Sequence, residues 1–353
     1  MVLADLAKHV IGVDTHKDTH TAAVVAAPTA ALVAVATEPA TAAGYEALLE
    51  RAAAHTTPGE RAWAVEGTGS YGAGLTTFLR HAGEWVIEVE RPHRPRPRHG
   101  AKSDALDAER AARDLLGRET WAEPRARGER EALRVLVTTR DGAVRARTRA
   151  INELKAVVVG CPEALRERLR AHPGTTALVE ACGRQDGDGD EEWQATVAAL
   201  HALATRIRHL DDEVADYDRR IRALTRQACP QVVAEHGVGP ITAALAYVAW
   251  SHSGRCRNEA AYARLGGTSP IEASSGKTVR HRLNRGGDRQ LNRALHTIVI
   301  TRARSDARTQ AYIARRTAEG KSEREIRRCL KRYLARHLYR LLEAGPTPIN
   351  NAP

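Results

Sequence analysis

The chain has 353 residues, which is long enough for two or three domains. No apolar run approaches the roughly 18 residues that a membrane span needs, so no membrane association is expected. Residues 1–8 lack the order of charged and then apolar segments that a signal peptide shows. The five cysteines are widely spaced, which indicates reduced thiols and a cytoplasmic protein.

The basic charge of the chain is local. The 54 lysine and arginine residues outnumber the 43 acidic residues. The segment 276–340 holds 19 of the basic residues and 5 of the acidic ones, a net charge of +14, and the rest of the chain has a net charge of −3. Such a block is typical of a nucleic-acid-binding surface. A solvated, arginine-rich helical surface is the alternative interpretation.

The first third of the chain predicts one mixed sheet with helices packed on it. Three β-rich runs with short turns between them predict an antiparallel meander, at 9–13, 19–25 and 31–37. The pattern then alternates helix, strand, helix and strand, at 42–54, 61–66, 71–82 and 85–90. This order of hairpins and crossovers favours an α/β domain.

Four acidic residues in this region are candidate metal ligands. Asp14 and Glu66 each end an apolar, strand-like run, where a carboxylate has no use in a core. Asp104 and Asp107 lie three residues apart in the first turn of a predicted helix, 104–116, and therefore share one face. If this helix covers the ends of the two strands, the four acids form a site for divalent cations that supports phosphoryl transfer. Compensation of the helix dipole would by itself explain Asp104 and Asp107.

A glycine-rich motif in the same region allows a rival interpretation. Gly67, Gly69 and Gly72 are spaced G-x-G-x-x-G between a strand and a helix, and acidic residues follow at Glu88 and Glu90. This pattern is typical of dinucleotide-binding enzymes. The antiparallel meander that precedes the motif does not fit that class, and the other candidate acids would then have no role.

Two histidines raise the question of a zinc site. His16 and His20 have the four-residue spacing of a zinc-binding helix. They fall between predicted strands, and the glutamate of that motif is missing. Zinc is therefore not expected here.

A proline-rich basic segment precedes the acidic helix. The prolines of residues 92–97 exclude both a helix and a central strand, so an extended loop is predicted. Its arginines and the lysine that follows are candidate contacts to a nucleic-acid backbone: Arg94, Arg96, Arg98 and Lys102.

The middle of the chain predicts long helices. Residues 127–159 have a helical pattern, and apolar residues recur at steps of three and four over residues 200–224. The repeat predicts a coiled coil and thus a dimer seam. Packing against the 127–159 helix within one chain is the alternative. An antiparallel hairpin that also dimerises would satisfy both.

The C-terminal part begins with a candidate phosphate-binding turn. Gly237 and Gly239 precede Pro240 between two predicted helices, as in a helix-hairpin-helix element. Backbone amides at such a turn approach a DNA phosphate, although some turns of this kind only connect helices. The remaining chain is predicted to be helical and basic, with a last helix over 323–342.

Taken together, these motifs resemble transposases of the insertion sequence 110 family, the DEDD–serine recombinases guided by a bridge RNA. The resemblance rests on the four acids, on Glu66-Gly-Thr-Gly, on 102–108 and on Ser274-Ser275-Gly276, with further matches at 237–243, 260–266 and 284–291. It implies a RuvC-like domain of the ribonuclease H fold, an all-α coiled-coil region and a mainly α transposase domain. The corresponding boundaries are 1–125, 126–228, 229–345 and a tail, 346–353.

The resemblance assigns roles to individual residues. Asp14, Glu66, Asp104 and Asp107 resemble the catalytic acids that bind the metal, with Mg²⁺ expected and Mn²⁺ as the alternative. Ser275 resembles the nucleophile, and Ser274 stays open because it is adjacent. The sequence departs from the family where a second glycine is common, since Lys277 stands there. Basic residues near the serine would clamp phosphates: Lys277, Arg280, Arg282, Arg285 and Arg289.

The expected function is that of a transposase that cuts and rejoins DNA strands. Attack by a serine would leave a protein–DNA phosphoester, which preserves the bond for rejoining. A nuclease resembling Holliday-junction resolvases, which needs only the acids and water, is the alternative. The family further implies double-stranded donor and target DNA, a bridge RNA, and a homo-oligomer of two to four subunits in which the acids of one subunit meet the serine of another. Its expected place is the bacterial cytoplasm, on the nucleoid when acting.

Overall fold

The structure is a computed structural model that describes residues 2–89, 103–274, 276 and 281–345. The chain forms two compact units, Met1–Ala126 and Arg127–Pro353. A boundary near residue 228, inside the second unit, stays a prediction. Among the described helices, none is long and apolar enough to cross a membrane.

The first unit contains a five-stranded mixed sheet, as predicted. Its strands are β1 (His9–Thr15), β2 (Thr19–Ala26), β3 (Leu32–Pro39), β4 (Arg61–Glu66) and β5 (Trp85–Val89). They lie in the order β3-β2-β1-β4-β5. The first three strands form an antiparallel meander, whereas β4 is parallel to β1 and β5 is parallel to β4. The two strands at the centre, β1 and β4, therefore end at the same edge of the sheet.

Helices cover both faces of this sheet. On one face, α1 (Ala42–Ala53) and α2 (Ala73–His81) pack against the odd-numbered side chains of β1 and β4. On the other face, α3 (Asp104–Leu116) packs against the even-numbered ones. The helix α3 begins after its N-cap residue Ser103, whose side chain accepts a hydrogen bond from the amide of Leu106. The buried alanines of α3 allow a close approach to the sheet.

One glycine decides how close that approach is. A Cβ atom at Gly12, in the middle of β1, would lie 1.9 Å from the Ala108 carbonyl oxygen and 2.6 Å from the Ala112 amide nitrogen of α3. The backbone of the helix therefore lies directly on the backbone of the central strand. No side chain could occupy this position without moving the helix.

We expect Gly12→Ala to destabilise the protein by about 3 kcal/mol or more, because backbone atoms cannot yield as a flexible side chain can. Chemical denaturation of the full chain measures this change. Gly117→Ala at the end of α3 is the matched control, since no atom lies within 4 Å of a Cβ atom there. Equal stability of the two variants would contradict the close packing.

The second unit is mostly helical. Its helices are α4 (Glu129–Gly160), α5 (Glu163–Arg170), α6 (Thr175–Cys182), α7 (Glu191–Ala228), α8 (Pro230–Val233), α9 (Pro240–Trp250), α10 (Glu259–Leu265), α11 (Arg289–Ser305), α12 (Ala307–Ala318) and α13 (Glu323–Ala344). A short antiparallel pair interrupts them, β6 (Ile271–Glu272) and β7 (His281–Arg282). The sequence pattern predicted only helices here, because two-residue strands are too short to produce an alternation.

The predicted heptad repeat belongs to α7, which packs along α4 within the chain. The apolar residues near both ends of the repeat are buried, among them Leu200, Ile207 and Ile221. In its middle, ion pairs join the two helices, Arg140 with Asp218 and Arg147 with Asp211. Packing within one chain thus accounts for part of the repeat. A dimer seam stays a prediction.

Two glycines, Gly267 and Gly287, allow close backbone contacts at the base of the β6–β7 hairpin. A Cβ atom at Gly287 would lie 2.4 Å from the Leu265 carbonyl oxygen, and one at Gly267 would lie 2.7 Å from the Gly286 carbonyl oxygen. Gly267 and Gly287 also have positive φ angles, of 64° and 92°. Gly287 lies within the matching segment 284–291, and Gly267 directly follows the matching segment 260–266. The close contacts and the positive φ angles explain why glycine occupies both positions.

Candidate metal centre and serine hairpin

Asp14 and Glu66 lie next to each other at one edge of the sheet. The paired residues of β1 and β4 run from His9 and Arg61 to Val13 and Val65, and the two acids occupy the following positions. Both positions face α3, since they share the parity of Gly12 and of Ala64. The Thr15 hydroxyl donates to the Glu66 carbonyl oxygen over 3.0 Å and ties the two strand ends together.

The first turn of α3 brings Asp104 and Asp107 to the same edge. The side chain of Asp107 is 10% exposed and that of Asp14 is 12% exposed, so both are enclosed, whereas Asp104 is half exposed. Asp107 also accepts a hydrogen bond from Arg110 over 3.2 Å. The close contact at Gly12 sets the distance between this helix and the strand that carries Asp14.

The charges of Glu66, Asp104 and Asp107 lie close enough to Asp14 to affect its pKa. Burial is the largest cause that raises the pKa of Asp14 above its usual range, and the nearby charge of His16 opposes this rise. The carboxylates of Glu66, Asp104 and Asp107 raise the pKa of Asp14 further. Mutually repelling carboxylates without a compensating cation are costly, and hard divalent cations remove that cost.

His16, which the sequence analysis set aside, lies within this cluster. Its Nε2 atom is 3.3 Å from a carboxylate oxygen of Asp14 and 3.3 Å from one of Asp104. One ligand atom from each of these three residues lies within 4.8 Å of the others, a separation that suits a single cation. His20, the partner in the zinc spacing, is instead buried and stacked on Tyr45. The four-residue spacing linked His16 with His20, whereas in the structure His16 lies beside Asp14 and Asp104. No sequence pattern linked His16 to Asp104.

We expect Asp14→Asn to raise the melting temperature in EDTA, on the order of 2–4 °C, because it removes one of several repelling carboxylates that burial already penalises. The sign follows from the raised pKa, since a carboxyl group with a raised pKa costs stability when it is charged. The same change should abolish the stabilisation that Mg²⁺ or Mn²⁺ confers. Differential scanning calorimetry measures both effects.

Asp18→Asn is the matched control, because Asp18 is an exposed acid in the turn after β1. It should leave both the metal-free melting temperature and the shift with metal unchanged. A wild-type protein whose melting temperature does not respond to divalent cations would contradict a metal site at this edge.

The serine motif lies at the β6–β7 hairpin of the second unit. Ser274 is exposed and Gly276 has a φ of 55°, in the turn region between the two short strands. Among the predicted phosphate contacts, three are exposed: Arg282 on β7, Arg285 in the following loop and Arg289 at the start of α11. Other predicted residues lie outside the described part of the chain: Arg94, Arg96, Arg98, Lys102, Ser275, Lys277 and Arg280.

The turn at Gly237 and Gly239 has structural roles. Gly237 has a φ of 76°, and a Cβ atom there would lie 3.1 Å from Arg302 of α11. The Gly239 amide donates to the Thr242 hydroxyl over 3.0 Å, so a partner within the chain already occupies it. Phosphate binding at this turn stays a prediction.

The glycine motif after β4 closes on itself. The amides of Ser70 and Gly72 both donate to the Gly67 carbonyl oxygen, over 2.8 and 3.1 Å. Amides used in this way do not cradle a pyrophosphate. The loop does join the parallel strands β4 and β5 through α2, as a dinucleotide-binding unit would, but the amides of Ser70 and Gly72 are already bonded within the loop.

Comparison with known families agrees with the architecture. Residues 11–161 match the DEDD transposase model of the IS110 family, and residues 234–314 match the transposase model of the IS116/IS110/IS902 family. The two matches together span about two thirds of the chain. A search of curated proteins found no match. The mixed sheet with its flanking helices fits a RuvC-like α/β domain, and a largely helical region follows it. The chain belongs to the IS110 family of transposases, which cut and rejoin DNA.

Proposed function

We propose that this transposase exchanges DNA strands through a serine nucleophile with the support of divalent cations, and that a noncoding bridge RNA guides it. The observation that carries the proposal is the convergence of Asp14, Glu66, Asp104 and Asp107 at one edge of the sheet. The carboxylates of this cluster repel one another, which favours a cation-binding role over a purely structural one.

The donor set of this edge suits Mg²⁺, with Mn²⁺ as the alternative, because carboxylate oxygens are the ligands that hard cations prefer. Asp14 and Glu66 would hold the cation from the sheet, and Asp104 and Asp107 would hold it from α3. When bound, the cation supplies polarisation of the scissile phosphate and activation of a nearby hydroxyl group.

Ser275 is the proposed nucleophile, and Ser274 is its alternative. The serine Oγ atom attacks the phosphorus atom, the hydroxyl proton leaves to solvent, and the bond from phosphorus to one strand's oxygen breaks. That oxygen takes up a proton, and the other strand stays attached as a serine phosphoester. A hydroxyl group of a new strand then attacks the same phosphorus atom and restores the serine. The number of phosphodiester bonds is preserved, which suits recombination.

The proposed partners follow from charge and from exposed apolar surface. The C-terminal block with its net charge of +14 suits the backbones of donor DNA, target DNA and a guide RNA. In the middle of α7, Leu210, Val214 and Tyr217 remain half-buried within the single chain. These side chains would form a seam between subunits in a dimer, and two dimers would form a tetramer that pairs the acids of one subunit with the serine of another.

The covalent intermediate gives the sharpest test. Full-length protein with RNA from the flanking sequence, labelled donor and target DNA and Mg²⁺ should form a protein–DNA adduct that resists denaturant. Ser275→Ala should abolish the adduct because no phosphoester can form, and Asp104→Asn should reduce it by about 10²-fold or more.

Ser274→Ala is the matched control, since it removes the neighbouring hydroxyl group and should leave the adduct in place. Loss of the adduct only in Ser274→Ala would move the nucleophile by one residue. DNA cleavage without an adduct, retained in Ser275→Ala, would instead support a hydrolytic nuclease of the resolvase type.

We further propose that His16 is a ligand of the same cation as Asp14 and Asp104. Its Nε2 atom already lies 3.3 Å from an oxygen of each. An imidazole ligand should make the site more tolerant of Mn²⁺ than carboxylates alone would.

Pulsed electron paramagnetic resonance of the Mn²⁺-loaded protein tests this role without any need for turnover. Wild-type protein should show coupling to an imidazole nitrogen, and His16→Gln should lose it. His20→Phe is the control, because His20 is buried and stacked on Tyr45, and it should keep the coupling. Coupling that survives His16→Gln would exclude His16 as the ligand.

A further inference from the structure

A basic cavity lies between the β6–β7 hairpin and helix α13. It has a volume of about 530 Å³. Its lining carries six side chains of one sign: Arg282, Arg316, Lys321, Arg328, Lys331 and Arg332. The hairpin and the helix that form its main walls are far apart in the sequence, so no local motif signals the cavity.

Most of this charge is not compensated. Glu325 is the acidic residue of the lining, and Ser322 occupies its carboxylate through both amide and hydroxyl, over 2.9 and 2.8 Å. Arg316 pairs with Glu319. Within the described ranges, Arg328 and Arg332 form no ion pair, although both are half-buried. Half-buried cations without counter-charges cost free energy unless an anion binds beside them.

Hydrogen bonding holds the side chain of Lys331 in place close to other cations. Its Nζ atom donates to the Asn292 side-chain oxygen over 3.1 Å, and the Asn292 amide group donates to the Gly266 carbonyl oxygen over 2.6 Å. Burial lowers the pKa of Lys331 most, and the guanidinium groups of Arg289 and Arg328 lower it further. The ammonium group is thus held close to other positive charges, an arrangement that favours the binding of an anion.

The walls also favour a particular kind of anion. Pro270, Leu283 and Ile326 add apolar surface to the lining of the cavity. The volume falls within the range of about 300–1,000 Å³ that small-molecule sites occupy. A phosphate joined to a sugar and a base matches this combination better than an inorganic ion does.

We propose that this cavity binds a phosphate and its attached nucleoside from a nucleic-acid strand that passes the serine hairpin. The inference rests on the proposed function for the presence of such a strand, and not for the cavity itself. Because β6 and β7 lead directly into and out of the segment with Ser274, a strand held here is held beside the serine.

Salt-dependent binding of labelled oligonucleotides tests the proposal. The full-length protein is titrated in EDTA with single-stranded DNA and with RNA of the same sequence, between about 50 and 200 mM KCl. Fluorescence anisotropy gives the affinity at each salt concentration. Arg328→Gln should lower the salt slope by about 0.7 for each phosphate that its guanidinium group neutralises in the wild-type protein.

Arg324→Gln is the matched control, since Arg324 lies one turn earlier on α13, is exposed and does not line the cavity. It should leave the slope unchanged. The melting temperature of Arg328→Gln should stay close to the wild-type value, because the change removes both the repulsion of Lys331 and the attraction of Glu325. An unchanged melting temperature separates weaker binding from impaired folding.

The outcomes separate this proposal from the function proposed above. A weaker slope for DNA only, or for RNA only, supports the cavity and identifies the strand. Equal decreases of the salt slope in Arg328→Gln and Arg324→Gln would indicate diffuse electrostatic attraction and not a specific site in the cavity. An unchanged slope in Arg328→Gln would also overturn the proposal. If Arg328→Gln has an unchanged salt slope and still forms the serine adduct, the proposed function stands without the cavity. Wild-type protein that binds neither strand overturns the cavity proposal, and the adduct assay then decides the proposed function by itself.

Discussion

The contact between α3 and β1 at Gly12 is the constraint on which the acidic site depends. A helix usually lies at a distance from a sheet that its side chains set. Here a glycine on the strand and small residues on the helix bring the two backbones into contact. The first turn of the helix therefore reaches the end of the strand, and Asp104 and Asp107 join Asp14. The position of a candidate catalytic carboxylate is thus decided by the absence of a side chain two residues away.

The two edges of the sheet treat charge in opposite ways. At the amino end of β4, Arg61 and Glu84 are both almost fully buried and form an ion pair, and the Trp63 indole also donates to Glu84. Burial opposes the charge of Glu84, yet these hydrogen bonds lower its pKa overall. At the carboxyl end, the acids face one another, and the pKa of Asp14 is raised. The first edge stabilises the fold, whereas the second gives up stability to hold a site.

The second unit also contains one region where charges are paired and one where like charges gather, and there the gathered charges are positive. Along α4 and α7, arginines meet aspartates in ion pairs that join the two helices. Around Lys331, six basic side chains line the cavity, and Glu325 is the one acid among its described lining residues. Composition alone shows an excess of positive charge in this part of the chain. The structure separates the arginines that stabilise helices from those that are available for a phosphate backbone.

The sequence by itself determined the elements of the first unit and the family of the chain. Apolar β-rich runs, the acids at their ends and the two acids in the first turn of a helix predicted the mixed sheet and the acidic cluster, because these signals act over a few residues. The tertiary structure decided what depends on distant segments. It placed His16 beside Asp104 and packed α7 along α4. It also brought the backbone into close contact at Gly267 and Gly287, and formed a cavity between the β6–β7 hairpin and α13. These contacts join residues that are distant in the sequence, and no local pattern encodes the geometry that brings them together.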